Sequence, residues 1–469
     1  MAAVAGVAIG ALDVGQKRDA NLRSRSMELF GVKSALVASS TTSADPAQAV
    51  VDARKLASFS KGLHVHVVTQ GQAAPILDMI ALWPNDTNPT HLIACNEGDA
   101  TDPGLQRIDL ATGEVETILT GTISCDPAHV TPWGTLVFAE EFGGGPSGGR
   151  LYELIDPLDA TDVTLDRDAG TFSGGVGAES FTARPALGRL SFEGVGILPN
   201  GVVYYGDENR PNVGMPGGAY FKFVPSSLWS DGDAAITDLA QSPLASGSVY
   251  GLRVGLRSGA SDSGQGTEIG LGVWVPIPSS PDPDLRAQTA ELKLTGYYRP
   301  EDLQFDLGEL SNGNVRWCGN NTGNEVTDHT WGNTVCLTDG TVEEAATNAV
   351  APDIQLFVLG NLQFAMMDNV AFQSGRGNWV IHEDGDNIAT GRNNDLWDCL
   401  PDGGDDDTFT DGCIRIATLH DLGPAGAPNE GEGAEWTGGV FDSTGTRFFV
   451  SVQHNMTGFG VIYEVTGWS

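Results

Sequence analysis

Lysine is nearly absent from this chain. Six occur in 469 residues, four of them (Lys17, Lys33, Lys55, Lys61) before residue 62, and Lys plus Arg total 25 against 61 Asp plus Glu. A formal net charge of −36 argues against a nucleic-acid partner, because such binders gain affinity by laying a basic face on phosphates. No run of about 18 apolar residues is present, so no transmembrane segment is expected. No Cys-x-x-Cys or Cys/His cluster has zinc spacing. The glycines at 143–145 do not lead into the Gly-Lys-Ser/Thr of a phosphate loop, and no Gly-x-Ser-x-Gly elbow stands between a strand and a helix. A zinc module, a P-loop and an elbow serine are therefore excluded. Asp405-Asp406-Asp407 lacks the spaced ligands and closing Glu of an EF-hand and reads as a solvated turn.

What the chain does contain is turn residues and apolar material. Sixty-two Gly and 24 Pro point to many short strands, and 40% hydrophobic residues with ten Trp suffice for a large core. Helical periodicity is confined to Pro46–Phe59, which argues against an α/β alternation. The strands recur as hairpins. One runs from Glu193 through Asn200-Gly201 to Asp207-Glu208, a second from Glu301 through Asn312-Gly313 to Asn320-Asn321, and a third from Asn369 past Gly377 to Glu383-Asp384. A fourth runs from Glu435 past Gly445 to Gln453-His454, and less regular copies surround Trp133-Gly134…Glu140-Glu141 and His91…Asn96-Glu97. Asn-Gly between apolar runs is the strongest short hairpin signal. Six copies predict an all-β fold, a six-bladed β-propeller.

In a hairpin, the start of the first strand and the end of the second lie together, away from the turn. Arranged radially, six such ends would crown one mouth of a central channel with carboxylates and amides. Carboxylates in contact raise one another's pKa, and bound cations are the remedy. Calcium, with six to eight oxygen ligands, suits such a ring. The wider acidity serves solvation in a salty or extracellular setting.

Six cysteines, at 95, 125, 318, 336, 399 and 413, suggest disulfides and an exported protein, periplasmic or extracellular. The short gaps 318–336 and 399–413 are those of local bridges, although six cysteines allow fifteen connectivities. Residues 1–44 read as a tail without regular structure, or as the remnant of an export signal whose basic start is missing from this sequence. Residues 45–469 read as one propeller domain with an insertion over about 228–294, and the protein is expected to be a monomer.

At these residues the chain resembles the PhoX family of exported alkaline phosphatases, over roughly residues 90–465. Thr131-Pro-Trp-Gly-Thr…Glu140-Glu141, Gly188-Arg-Leu-Ser-Phe-Glu193, Tyr205-Gly-Asp207-Glu208 and Tyr220-Phe-Lys-Phe-Val are similar to its successive signatures. So are Arg299-Pro-Glu301-Asp302, Asp368-Asn369, Gly377-Asn378, Glu435-x-Thr-Gly and Gln453-His454. The resemblance implies a metal-dependent phosphatase acting on a small phosphate-ester substrate, with iron and calcium at one channel mouth. It implies that Glu193, Glu301 and Glu435 ligate metal, that Glu140 supports the cluster, and that Asn96, Asp207, Asn369 and Asp384 are outer ligands. Arg299 would grip the phosphate, for which a guanidinium fork is suited, and Arg299 with Glu301 would form the catalytic pair.

Two positions depart from the family pattern. Ala139 stands where the family has an iron-binding cysteine, and Phe192 stands in place of its histidine. An all-oxygen site favours calcium, magnesium or manganese over iron. Alternative readings are another metal-dependent propeller hydrolase, a phosphodiesterase or a lactonase, and a calcium-stabilised scaffold without activity.

Overall fold

The hairpin turns form as expected. Gly201 has a φ of +88°, a conformation open to glycine at no steric cost, and it reverses the chain between strands Phe192–Ile197 and Val203–Asp207. Between Pro300–Phe305 and Asn314–Asn321 the connection carries an additional helical turn, Leu307–Ser311, capped by Asp306. The computed structural model describes residues 17–212, 216–230, 232–255, 268–324, 330–385, 387–421 and 433–469.

The architecture is an all-β propeller. Its antiparallel hairpins extend into four sheets of four to six strands and one of nine. The nine-stranded sheet joins two four-stranded groups, Phe192–Val254 and Pro300–Leu359, through strand Gly270–Pro276, whose Gly270 and Leu271 pair with Ile354 and Asp353. Six inner strands pack on one another around a closed ring: Leu77–Trp83, Cys125–Val130, Phe192–Ile197, Pro300–Phe305, Met367–Gln373, Glu435–Phe441, and back to Leu77–Trp83. The ring is closed by sequence ends, because His64–Ala73 pairs with Gly460–Thr466. Ala57–Phe59 likewise adds to Cys413–Leu419.

The core is not one mass. Among the described residues it divides into six apolar clusters, each wedged between neighbouring sheets or strand groups. Trp133, Trp317, Trp379 and Trp436 are fully buried in them, where large rings fill the widening gap between twisted sheets. The disulfides are Cys95–Cys125, Cys318–Cys336 and Cys399–Cys413. The two short gaps pair as expected, and Cys95–Cys125 ties one sheet to the inner strand of the next.

Three expectations about organisation meet a different geometry. The helix near Pro46–Phe59 stops at Val51, and the chain enters a 3-10 turn at Ala53–Leu56 before the strand Ala57–Phe59. Phe30, Val32 and Ala35, within the expected tail, are buried in the cluster that holds Trp436 and Tyr463; residues 1–16 lie outside the described residues. The segment expected as an insertion contains Gly247–Val254 and Gly270–Pro276, the outer strands of its own sheet, and glycine-rich strands carry too weak an alternation to be read from sequence. Among the described residues no helix is long and apolar enough to cross a membrane.

Candidate metal centre

In all six inner hairpins the first residue of the inner strand pairs with the last residue of the second strand. The pairs are Leu77–Asn96, Cys125–Glu140, Phe192–Asp207, Pro300–Asn321, Met367–Glu383 and Glu435–Gln453. A register shift follows within a few residues in each, where two residues of the inner strand stand opposite one of its partner. Such a bulge bends a strand and re-aims a side chain. In five of the six, the residue entering the bulge is an acid: Asp78, Asp126, Glu193, Glu301 and Asp368. Gly194 sits inside one bulge because a Cβ there would lie 2.1 Å from the Leu303 nitrogen of the next inner strand.

These acids converge. Carboxylate oxygens of Asp78, Glu97 and Asp126 lie within 4.8 Å of one another, as do those of Glu193, Glu301 and Asp368, and those of Asp368, Asp384 and Glu435. Asp368 belongs to two of the three groups and bridges them. Donors are few. Thr322 Oγ1 donates to Glu301 Oε1 at 2.5 Å, and Gln453 Nε2 to Glu97 Oε1 at 2.9 Å and Asp78 Oδ2 at 3.3 Å. Asp126 is 1% exposed, and neither of its oxygens meets a donor. Asp302 Oδ1 and Asn369 Oδ1 are buried in the same condition.

Burial, and then the neighbouring negative charges, push the carboxyls of Asp78, Asp126, Glu193, Asp368 and Glu435 well above their usual range. Burial raises Glu301 to about 8 and Asp302 to about 7. The metal-free cluster therefore holds protons where a cation would replace them. One cation of the protein stands among the acids. Arg299 Nε donates to Glu208 Oε1 at 2.6 Å and lies 3.2 Å from Glu301, while its Nη2 is 3.9 Å from Asp384. Burial disfavours its charge, but Glu301, Glu208, Asp384 and Asp368 outweigh that and raise it well above its ordinary value.

The residues expected from sequence divide into two sets. Glu193, Glu301, Glu435, Asp384 and Arg299 come together at the ends of the inner hairpins away from their turns, and Asn369 lies beside them, its Nδ2 3.4 Å from Asp78. Asn96, Glu140 and Asp207 are engaged by the protein itself. Their side-chain oxygens accept from the Ile76, Ile123 and Ser191 backbone nitrogens at 2.9, 3.0 and 3.1 Å, which fixes the entry to their own inner strands. Glu140 also holds Tyr152 and Arg167, and Asp207 holds Arg286. The residue after each, Glu97, Glu141 and Glu208, is the one that interacts with the clustered acids. Asp78, Asp126 and Asp368 were missed as candidates. Their signal is a repeat of an apolar residue, an acid, one further residue and an apolar or small residue: Leu77-Asp-Met-Ile, Cys125-Asp-Pro-Ala and Met367-Asp-Asn-Val.

The donor set is oxygen throughout. All six cysteines are in disulfides, and Ala139 is packed in an apolar cluster with Leu151 and Phe192. His454 Nε2 approaches Glu435 at 3.4 Å. Orphaned buried oxygens and neighbouring carboxyls fit hard cations such as calcium; a thiolate ligand for iron has no counterpart here.

No protein-family model matches the chain, nor does any curated protein. Among solved structures it is similar to Pseudomonas fluorescens PhoX in complex with vanadate, a transition state analogue, at a TM-score of 0.60 and 15% identity, covering 93% of this chain and 98% of that one. The pyranose dehydrogenase PQQ domain from Coprinopsis cinerea aligns at a TM-score of 0.39 and 12% identity over 87% and 97% of the two chains. The soluble aldose sugar dehydrogenase from Escherichia coli aligns at 0.38 and 11% over 86% and 99%. At 15% identity the likeness to the first of these is one of fold.

Proposed function

We propose that this chain is a six-bladed propeller that hydrolyses phosphate monoesters, with calcium or a similar hard divalent cation held at one mouth of its channel. The observation that carries the reading is a buried ring of carboxylates drawn from every inner hairpin, with one guanidinium, Arg299, set among them. Six closed inner strands and six inter-sheet clusters support the blade number, the nine-stranded sheet counting as two blades joined at their outer edges.

Glu193, Glu301 and Asp368 would hold one cation, Asp368, Asp384 and Glu435 a second, and Asp78, Glu97 and Asp126 a third. Bound cations would polarise a phosphoryl group and neutralise charge on the departing alcohol. Arg299 would take two phosphate oxygens through its planar fork, and Thr322 would keep Glu301 oriented. Iron is not proposed, because Ala139 offers no thiolate. Three disulfides support maturation in an oxidising compartment.

The test combines elemental analysis of the unchelated protein with turnover of a chromogenic phosphomonoester, before and after chelation and on adding calcium back. Calcium without iron, and activity that follows calcium, is the expected result. A metal-free protein that is inert under every metal would sink the reading.

A further inference from the structure

The guanidinium that would receive the phosphate is not held by the cation-site acids alone. We propose that Glu208 is a positioning residue for Arg299 and that Arg286, from the segment expected as an insertion over about 228–294, fixes Glu208 in turn. The proposal rests on the phosphate-ester reading above.

Arg299 is strained into the left-handed region, at φ +59°, where a bulky side chain persists only if its surroundings over-determine it. Its backbone nitrogen donates to the Asn209 carbonyl at 3.2 Å, and its carbonyl accepts from the Thr322 nitrogen at 3.1 Å. The side chain has two competing attractions. Glu301 and Asp384, on one side, belong to the carboxylate groups that would coordinate cations. Glu208 belongs to none of those groups, yet it takes the shortest contact, 2.6 Å to Nε. A carboxylate on Nε directs the two terminal nitrogens onward as a pair, the geometry a phosphate needs.

Glu208 is itself clamped. Its nitrogen donates to the Ser191 carbonyl at 3.1 Å, and its carbonyl accepts from Arg286 Nη2 at 2.5 Å. Arg286 also grips both oxygens of Asp207 at 2.7–3.1 Å. It stands in the short helix Leu285–Glu291, which is started by the Asp284 cap. A segment that sequence alone presents as an appendage thereby reaches the anion-binding group through two side chains.

The experiment measures binding of inorganic phosphate to the calcium-loaded protein by calorimetry, with metal content and chromogenic-ester kinetics alongside, for wild type, Glu208→Ala, Arg299→Ala and the double variant. Glu208→Ala should weaken phosphate binding about tenfold and raise KM with a smaller effect on kcat, with metal content unchanged. In the Arg299→Ala background the same change should have no further effect, since a shared pathway is non-additive. Arg286→Ala should reproduce a weaker version of the Glu208→Ala phenotype. Loss of metal in Glu208→Ala would make it a ligand and overturn the proposal, as would equal losses in both backgrounds. Wild-type turnover with an unaffected Glu208→Ala defeats this inference and leaves the proposed function standing. A wild type that neither binds phosphate nor turns over ester defeats both.

Discussion

Glu301→Gln offers a test in which the sign of the effect matters more than its size. Burial raises the Glu301 carboxyl from 4.5 to about 8 in the metal-free protein. At about 1.4 kcal/mol per pH unit, that corresponds to about 5 kcal/mol. A carboxyl whose folded pKa lies above its unfolded value contributes stability that is complete below about pH 4.5 and is lost as the pH rises through about 8. Chelated wild type should therefore be less stable at pH 8.5 than at pH 5, and Glu301→Gln should remove most of Glu301's share of that slope. The Thr322 hydroxyl, 2.5 Å from Glu301 Oε1, retains an acceptor in the glutamine, so the change deletes charge rather than packing. Calcium reverses the order. With the cation bound, the carboxylate is the favoured form and wild type should be the more stable protein at pH 8.5. Urea denaturation of both proteins at the two pH values, in chelator and in calcium, reads out all four combinations. The reasoning fails if Glu301→Gln is destabilising in chelator at pH 8.5, or if calcium leaves the ranking unchanged.

Arg299→Ala should lower kcat/KM for a phosphomonoester by about a hundredfold or more while leaving metal content intact, and Arg299→Lys should not restore it, because an ammonium lacks the planar fork; steady-state kinetics with elemental analysis decides. Gly194→Ala should lower the thermal midpoint, since its Cβ would fall 2.1 Å from the Leu303 nitrogen and 2.6 Å from the Asp302 carbonyl carbon, at a cost of about 1–3 kcal/mol for overpacking. Lys222 and Asp339 are fully buried 2.6 Å apart, with Tyr204 and Trp274 also donating to Asp339. Lys222→Met should cost about 3–5 kcal/mol by stranding that carboxylate, and a denaturation curve indistinguishable from wild type would contradict it.

The propeller was legible because its hairpin signals are local. Asn200-Gly201 and Asn312-Gly313 announce turns from two letters, and short cysteine gaps announced the bridges Cys318–Cys336 and Cys399–Cys413. The site was half legible. Hairpin geometry brings together the ends that carry Glu193, Glu301, Glu435 and Asp384, and the family resemblance made them ligand candidates, but a regular hairpin pairs Glu193 with Asp207 whereas the bulged strand pairs Phe192 with it. One extra residue in each inner strand changes which acid faces the channel, and no single copy of Leu77-Asp-Met-Ile or Cys125-Asp-Pro-Ala advertises a bulge. The outer strand Gly247–Val254 was hidden for another reason: the pairing that makes it a strand comes from Tyr220–Pro225, not from its own alternation.

The paired residues that end the second strands divide fold from chemistry, and Glu140 and Glu141 make the division measurable. Successive residues of a strand point to opposite sides, so neighbours of identical chemistry can have opposite tasks. Glu140 accepts from the Ile123 nitrogen at 3.0 Å, from Tyr152 at 2.9 Å and from Arg167 at 2.5 Å. Its removal leaves all three donors behind and should cost about 3–5 kcal/mol with or without metal. Glu141 is raised well above its usual pKa by burial and then by Glu97, Glu208 and Asp126. Its removal relieves repulsion, so Glu141→Ala in chelator should be no less stable than wild type, while in calcium it should weaken cation binding. Denaturation curves and calcium titrations of the two alanine variants give the comparison. Equal destabilisation of both in chelator would mean that the two carboxylates share one structural task, and the separation of scaffold from site at the channel mouth would be lost. Loss of stability in Glu140→Ala alone, with loss of calcium affinity in Glu141→Ala, would mean that the mouth can change its chemistry one residue at a time while the blades stay folded.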